Sequence, residues 1–508
     1  MFKRFLFYKN RAPLFFFFCF LFTYSFGQEI KEINCSDNFS LKKKETNISR
    51  QKICPDLLLK DVKELYGKII KAHPNPFIFC SKEAWNQKYK EVLLECETPK
   101  TFFEFSQIIA SWLSMLKDSH TSLDPDLILW EFKKHHYLFP FMLERIEDKF
   151  YAKHFVSDKV SYGNEVLKIN SLTMDSLFNL SIAFAIKEGD SRTAQFSYAT
   201  YLMGFVYNLC NNFNKTDSVL IQHVNPAGDT LYSSLPTYSP KQRRKYFKYN
   251  SWNKLQDVEF KVSSTQNIGV LTVHTFSPKK GKKFESTINN FFEVIKTKKI
   301  DNILIDLRNN TGGYFYYVNE LMDYIDTTKL IRHKNFICKR SFLDDYSNMN
   351  LFERISFFFS CKFNKDASFQ KECNFYRADY GYVDTLYETY SYHLKKENKF
   401  NGNCFLAING MSISASVDFT SWFKKSLRGK VIGEPCMGPY TGTWGNPRIT
   451  YLSNTQLAVV ISTIRNNLSN NFIYSKKPIQ PDIEVKQNLK DFRKKKDSLL
   501  KYLIKNLL

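Results

Sequence analysis

Ile303-Leu304-Ile305-Asp306-Leu307 runs directly into Arg308-Asn309-Asn310-Thr311-Gly312-Gly313, a compact apolar segment that breaks into a polar turn with paired glycines. The aliphatic run reads as a strand buried on both faces, the kind found inside parallel sheets. Its flanks alternate in period. Upstream, residues 268–276 read as a strand, and Phe284, Ile288, Phe291 and Ile295 then fall on one helical face. Downstream, residues 314–325 read as helix, 404–408 as strand, 415–425 as helix and 430–433 as strand. Residues 448–452 and 456–464 form a hairpin across Ser453-Asn454-Thr455. Strands alternating with helices predict a mixed or parallel sheet covered by helices. Residues 333–401 read as a long irregular insert, and such inserts beside a site often serve as lids.

The remainder of the 508 residues reads differently. Residues 1–27 carry a basic start (Lys3, Arg4, Lys9, Arg11), an apolar run over 14–22 and small residues at Ser25 and Gly27, the layout of a cleavable export signal. The apolar run is too short to span a bilayer, so no stable membrane insertion is expected after cleavage. The protein is thus expected outside the cytoplasm, periplasmic or extracellular. Residues 28–55 are polar and basic. Leu58, Val62, Leu65 and Ile69 then recur at helical spacing, and two further helices fit 82–96 and 101–116, so 28–135 reads as a polar lead-in and a helical N-terminal domain. Residues 136–262 show short strand-like runs and end in a basic linker near 239–248. Residues 263–485 form the alternating domain, and 486–508 read as a basic amphipathic helix.

Composition excludes several classes. The chain is 43% hydrophobic and 24% charged, a globular balance rather than a disordered one. Lys and Arg outnumber Asp and Glu by 73 to 50, a formal charge of +23. These basic residues are spread along the chain, so they read as a solvated face and no nucleic-acid partner is expected. Apart from Cys19 in the leader, the cysteines form an even set, as disulfides in an exported protein would require, although their pairing is not legible. No Cys/His spacing resembles a zinc site, and no metal or organic cofactor is expected.

Three polar segments can carry chemistry. Leu116-Lys117-Asp118-Ser119-His120-Thr121 places a histidine in a turn after a helix. Asp306 to Gly313 opens a strand end into glycines. Asn409-Gly410-Met411-Ser412-Ile413-Ser414-Ala415-Ser416 passes from a strand through a tight turn into a helix. A serine at such a turn projects its hydroxyl while the N–H groups of the helix start can bind an anion. A glycine turn supplies another donor with no side chain in the way, and a histidine can act as base.

Taken in order, these segments resemble the exported serine peptidases of the carboxyl-terminal-processing (tail-specific) family, in particular the branch similar to the tricorn core protease. Ser119-His120-Thr121 resembles the family's histidine motif, residues 303–313 its "DLR-N-x-GG" strand and turn, and Ser414-Ala415-Ser416 its nucleophile motif. Gly433-Glu434-Pro435 and Pro481-Asp482 match two further elements, and residues 163–170 resemble part of a PDZ-like module. The resemblance implies a multidomain α+β protein: an N-terminal helical region, a PDZ-like β-rich module and a crotonase/ClpP-like α/β serine protease domain.

It also implies roles. Ser414 would be the nucleophile, His120 the general base and Ser119 the residue orienting the imidazole. Backbone N–H groups of Gly313 and Ala415 would form the oxyanion hole. Pro439 stands where the lysine-using branch has its lysine, which favours His120. Ser475 stands where the tricorn-like branch carries a glutamate, so the acidic end of the relay is either lost or taken by another carboxylate such as Asp118 or Glu434. The implied activity is hydrolysis of unfolded or C-terminally exposed polypeptides through an acyl-enzyme. The competing reading is an inactive peptidase-fold protein that binds peptides or another ligand.

Overall fold

A computed structural model describes residues 35–37, 51–125, 127–128, 141–155, 159–211, 217–237, 256–326, 332–344, 351–364, 367–390, 399–468 and 474–508. The export signal and the 239–248 linker lie outside the described residues. At the centre is a six-stranded sheet in the order Ile483–Glu484, Gly429–Gly433, Asn403–Ile408, Asn302–Asp306, Ile268–Val273, Val258–Ser263. The first five run parallel and the last pairs antiparallel to its neighbour. Every residue of Asn302–Asp306 is buried, as an interior parallel strand requires.

Helices Gly281–Thr297, Phe315–Ile325 and Ala415–Lys425 cover one face through Phe284, Ile288, Phe291, Val318, Leu321, Phe419 and Phe423. Each such side chain, fully buried, contributes about 1.5–3 kcal/mol. The other face is closed by Leu499 and Leu503 of helix Ser498–Asn506, which pack on Leu304, Phe405, Ala407 and Ile432. Asp306 and Asp497 clamp Arg308 between them, which ties that helix to the end of the central strand.

Two antiparallel sheets flank this core. One has the order Ser122–Leu123, Ala458–Asn467, Arg332–Lys339, Val383–Tyr390, with Trp444–Tyr451 also on Ala458–Asn467. The other is built from Phe141–Ile146, Lys149–Phe155, Glu165–Ile169, Ser218–Val224 and Thr230–Pro236. Helices Pro55–Ala72, Lys82–Glu95 and Phe102–Ser114 precede them. Trp85 stacks on Trp112 at 4.6 Å, and Thr101 and Glu104 form a reciprocal capping box at the third helix. Asp61 of the first helix accepts from Asn454 and Thr455 N–H and so fixes the turn of the 444–467 hairpin.

Three expectations are corrected. The described residues of 333–401 are not irregular: Arg332–Lys339 and Val383–Tyr390 pair antiparallel around helices Leu351–Phe363 and Ala367–Arg377, which Cys361–Cys373 staples together. Leu351–Phe363 buries Phe357 and Cys361 but exposes Leu351, Phe352 and Phe363, so its apolar residues surround the axis and blur the helical period. The 136–262 segment is not strand alone, since it contains helices Met174–Phe184 and Arg192–Cys210. In the second of these, five consecutive residues from Phe205 to Leu209 are buried, which again hides the period. The C-terminal tail is two helices, Leu489–Arg493 and Ser498–Asn506. Lys495 turns to φ 53 between them, and the Asp497 carboxylate caps Leu499 and Leu500 N–H to start the second.

Candidate active site

Asn302–Asp306 and Asn403–Ile408 are parallel neighbours in register, Asp306 beside Ala407, so the turns that follow them emerge side by side. Side chains stitch the turns together. Asn309 N–H donates to Asn409 Oδ1 at 2.9 Å, and Asn409 Nδ2 returns a bond to Asn309 Oδ1 at 3.0 Å. Fully buried Asn310 is the hub: its carbonyl accepts from Ile413 N–H and Ser416 Oγ, and its Nδ2 donates to Val273 O.

The three serines of the second turn now separate. Ser412 Oγ donates to Leu307 O and Ser416 Oγ to Asn310 O. Ser414 Oγ has no partner among the described residues, and although it precedes helix Ala415–Lys425 it does not cap it. Its backbone sits at φ 55, ψ −117, a conformation L-residues rarely adopt and one that turns a side chain outward at a strand-to-helix junction.

Gly312 packs against this serine, a Cβ on it meeting Ser414 Cβ and Ala415 N, and Gly313 follows. Phe276 N–H donates to Gly312 O and Tyr314 N–H to Phe276 O, an arrangement that points the Gly313 N–H away from that strand. Gly313 N–H has no backbone acceptor among the described residues. Ala415, first residue of its helix, has an N–H beyond the reach of intrahelical bonds.

The histidine segment is built on buried polar bonds. Asp118 Oδ1 accepts from His120 N–H at 2.7 Å, and Oδ2 accepts from Thr121 Oγ1 at 2.5 Å. Asp118 Oδ2 also lies 3.0 Å from His73 Nε2. Because His73 Nδ1 accepts from Asn75 N–H, Nε2 carries the proton and donates to Asp118. Burial alone would push the Asp118 carboxyl up, but the bond from His73 and the charge of His120 bring it below the ordinary carboxylate value. Ser462 N–H donates to Thr121 Oγ1, which fixes the turn to strand Ala458–Asn467.

His120 Nδ1 is 3.0 Å from Ser119 Oγ, and that hydroxyl donates to Glu188 Oε2 at 2.7 Å. Sequence reading did not single out Glu188. Nothing local marks it except a Glu-Gly-Asp turn before a helix, and it lies 69 residues from Ser119. Its carboxylate is fully buried and pairs with Arg465, itself buried against the Trp444 ring at 5.0 Å. Ser475 is held in another local network: its N–H donates to Thr441 Oγ1 and its Oγ accepts from Lys477 N–H. Glu434 is likewise in a separate place, its N–H on Ile408 O.

The structure therefore brings Ser119 and His120 onto Glu188, and Gly312 and Ala415 onto Ser414, with Gly313 bridged to Phe276. A shared cluster links the halves. Ala194, Ile413 and Met437 pack together, Ala194 lying in the helix that follows Glu188 and Ile413 preceding the serine. Met437 N–H also donates to Ser412 O, and the same loop ends at Trp444, whose N–H donates to Glu188. Asp118, His120 and Glu188 offer ligand atoms within 4.8 Å of one another. Their carboxylate oxygens are occupied by N–H and O–H donors, which suits a proton relay rather than a metal cage.

Residues 267–485 match the model of peptidase family S41. Mature CPAF superposes with a TM-score of 0.59 at 13% identity, covering 88% of this chain and 96% of that one. Mature CPAF complexed with lactacystin gives 0.60 at 13%, covering 88% and 97%. A CPAF point mutant gives 0.62 at 13%, covering 89% and 98%. At that identity the likeness is one of fold. No curated protein matches the chain in sequence.

Proposed function

We propose that this chain, a serine-type peptidase through its peptidase family S41 domain at residues 267–485, cuts peptide bonds with Ser414 as nucleophile and His120 as general base. The observation that carries the assignment is the backbone of Ser414, held at φ 55 at the start of helix Ala415–Lys425 with its side chain not capping that helix; in this reading the Gly313 and Ala415 N–H groups are the oxyanion donors. Ser414 Oγ attacks the scissile carbonyl carbon while His120 takes the hydroxyl proton. The two N–H groups hold the oxyanion. As it collapses, the C–N bond breaks and His120 gives its proton to the leaving amine. Water then attacks the acyl ester with His120 again as base, the acid is released, and Ser414 regains its proton.

The substrates are unfolded or C-terminally exposed polypeptides. Thr230–Pro236 is an edge strand of a PDZ-like module, with Tyr232 exposed, and adding a peptide strand there would present a chain to the site. The protein acts outside the cytoplasm. The disulfides Cys35–Cys54 and Cys361–Cys373 support this, since such bonds persist in oxidising compartments. The test is digestion of a disordered protein by the parent, Ser414→Ala and His120→Ala, read by mass spectrometry. Cleavage by the parent and its loss in both variants is expected; equal cleavage by all three would overturn the assignment.

A further inference from the structure

We propose that Glu188 is the positioning residue that sets the tautomer of His120 through Ser119, an inference that rests on His120 being the base for Ser414. Four donors converge on the Glu188 carboxylate. Ser119 N–H and Oγ–H reach Oε2 at 3.0 and 2.7 Å, while Trp444 N–H and Arg465 Nη1 reach Oε1 at 3.0 and 2.9 Å. Four donors on two oxygens are matched by an ionised carboxylate, which accepts at every site; a protonated acid or an amide would turn a donor toward a donor.

The consequence passes along the chain of bonds. The Ser119 hydroxyl has one proton, and Glu188 accepts it. Ser119 Oγ is then left as an acceptor, so the group it meets at 3.0 Å must be His120 Nδ1–H. With the proton fixed on Nδ1, Nε2 keeps its lone pair and is the basic nitrogen. Were Glu188 neutral, its proton could pass to the bridge, Ser119 could donate to Nδ1, and Nε2 would carry the hydrogen instead.

The protein spends considerable structure on holding this carboxylate. Gly189 takes φ +60, and a Cβ there would lie 2.4 Å from Lys476 O, so the chain passes too tightly for a side chain. Gly189 N–H donates to Lys117 O and Asp190 N–H to Lys476 O. The segment bearing Glu188 is thus pinned between the histidine turn and the backbone at Lys476. Charged groups face it from each neighbour: Arg465 from Ala458–Asn467, Asp118 and His120 from the histidine turn, and Lys187 and Asp190 on its own segment, Asp190 being paired with Lys117.

The test measures acylation of Ser414 by an organophosphorus serine probe across pH in the parent, Ser119→Ala, Glu188→Gln and the double variant, each checked for folding by circular dichroism. Glu188→Gln leaves Arg465 buried without a counter-charge and can fail to fold. Ser119→Ala keeps that pair and tests the bridge by itself. The expected result is a loss of about 100- to 10,000-fold in both single variants, the scale for a base held in the wrong tautomer. The double variant falls no further than the worse single one. The acidic limb of the profile moves to lower pH in Ser119→Ala, which a merely structural defect would not cause. A parent labelled at Ser414 in a His120-dependent way, with Ser119→Ala within about threefold of it and its limb unmoved, overturns this inference and leaves the peptidase assignment standing. A parent not labelled at Ser414 overturns both.

Discussion

A Cβ placed on Gly312 would lie 2.8 Å from the Cβ of Ser414, closer than packed carbons tolerate. The glycine turn and the nucleophile turn therefore touch backbone to backbone, and Gly312 also takes φ +99. Gly312→Ala is expected to push the turns apart and take the Gly313 donor with them. Loss of one oxyanion donor costs about 100- to 1,000-fold. The check is kcat for a peptide ester alongside thermal unfolding: kcat should fall by at least that factor while the variant remains folded.

Stability and activity should respond to pH in opposite senses at Glu188. Burial pushes its carboxyl up from 4.5 to about 7, against the opposing charge of Arg465. The folded state therefore holds a proton between those values that the unfolded state has released. This group's contribution to stability is present below about 4.5 and is lost as pH rises to about 7. The relay needs the ionised form, so acylation should rise through the same region. Thermal unfolding and probe labelling measured from pH 5 to 8 should diverge in the parent. Glu188→Gln, where it folds, should remove the carboxylate's share of both slopes.

Much of the central domain was legible because its signals are local. Three consecutive aliphatics at Ile303 to Ile305 identify an interior strand, and the strand-to-helix turn at Ser414 is marked by its flanking periods. Composition does not separate Ser414 from Ser412 and Ser416; the resemblance picked Ser414, and in the structure the three differ in their partners. Glu188 was illegible for a physical reason. Its partners Ser119, Trp444 and Arg465 come from three distant segments, and no period or motif links them. The paired strands around Leu351–Phe363 failed similarly, since their register spans a helical insertion and the helix between them is apolar on opposite sides.

The Cys361–Cys373 bond closes a sequence separation of 12 between two helices, the first of which exposes Phe352 and Phe363. A loop of that size stabilises by about 3 kcal/mol. Replacing both cysteines by serine should raise hydrogen exchange across 351–377 and leave residues 302–306 protected. Exchange that rises equally in both regions would mean that the insert and the central sheet unfold together.

Arg308 joins Asp306 to Asp497, side chains that are 10% and 34% exposed. Its carboxylate bonds are partly screened by water, so Arg308→Ala should cost about 1–3 kcal/mol. Its first effect should be release of helix Ser498–Asn506. Limited proteolysis should then cut near residue 497 in the variant before it cuts the parent.

The most direct test of the account is to identify, by peptide mass spectrometry, the residue that an organophosphorus serine probe modifies. An adduct is expected on Ser414 in the parent, and none in Ser414→Ala or, within the labelling time of the parent, in His120→Ala. An adduct on Ser412 or Ser416, or labelling of Ser414 that ignores the loss of His120, would contradict it.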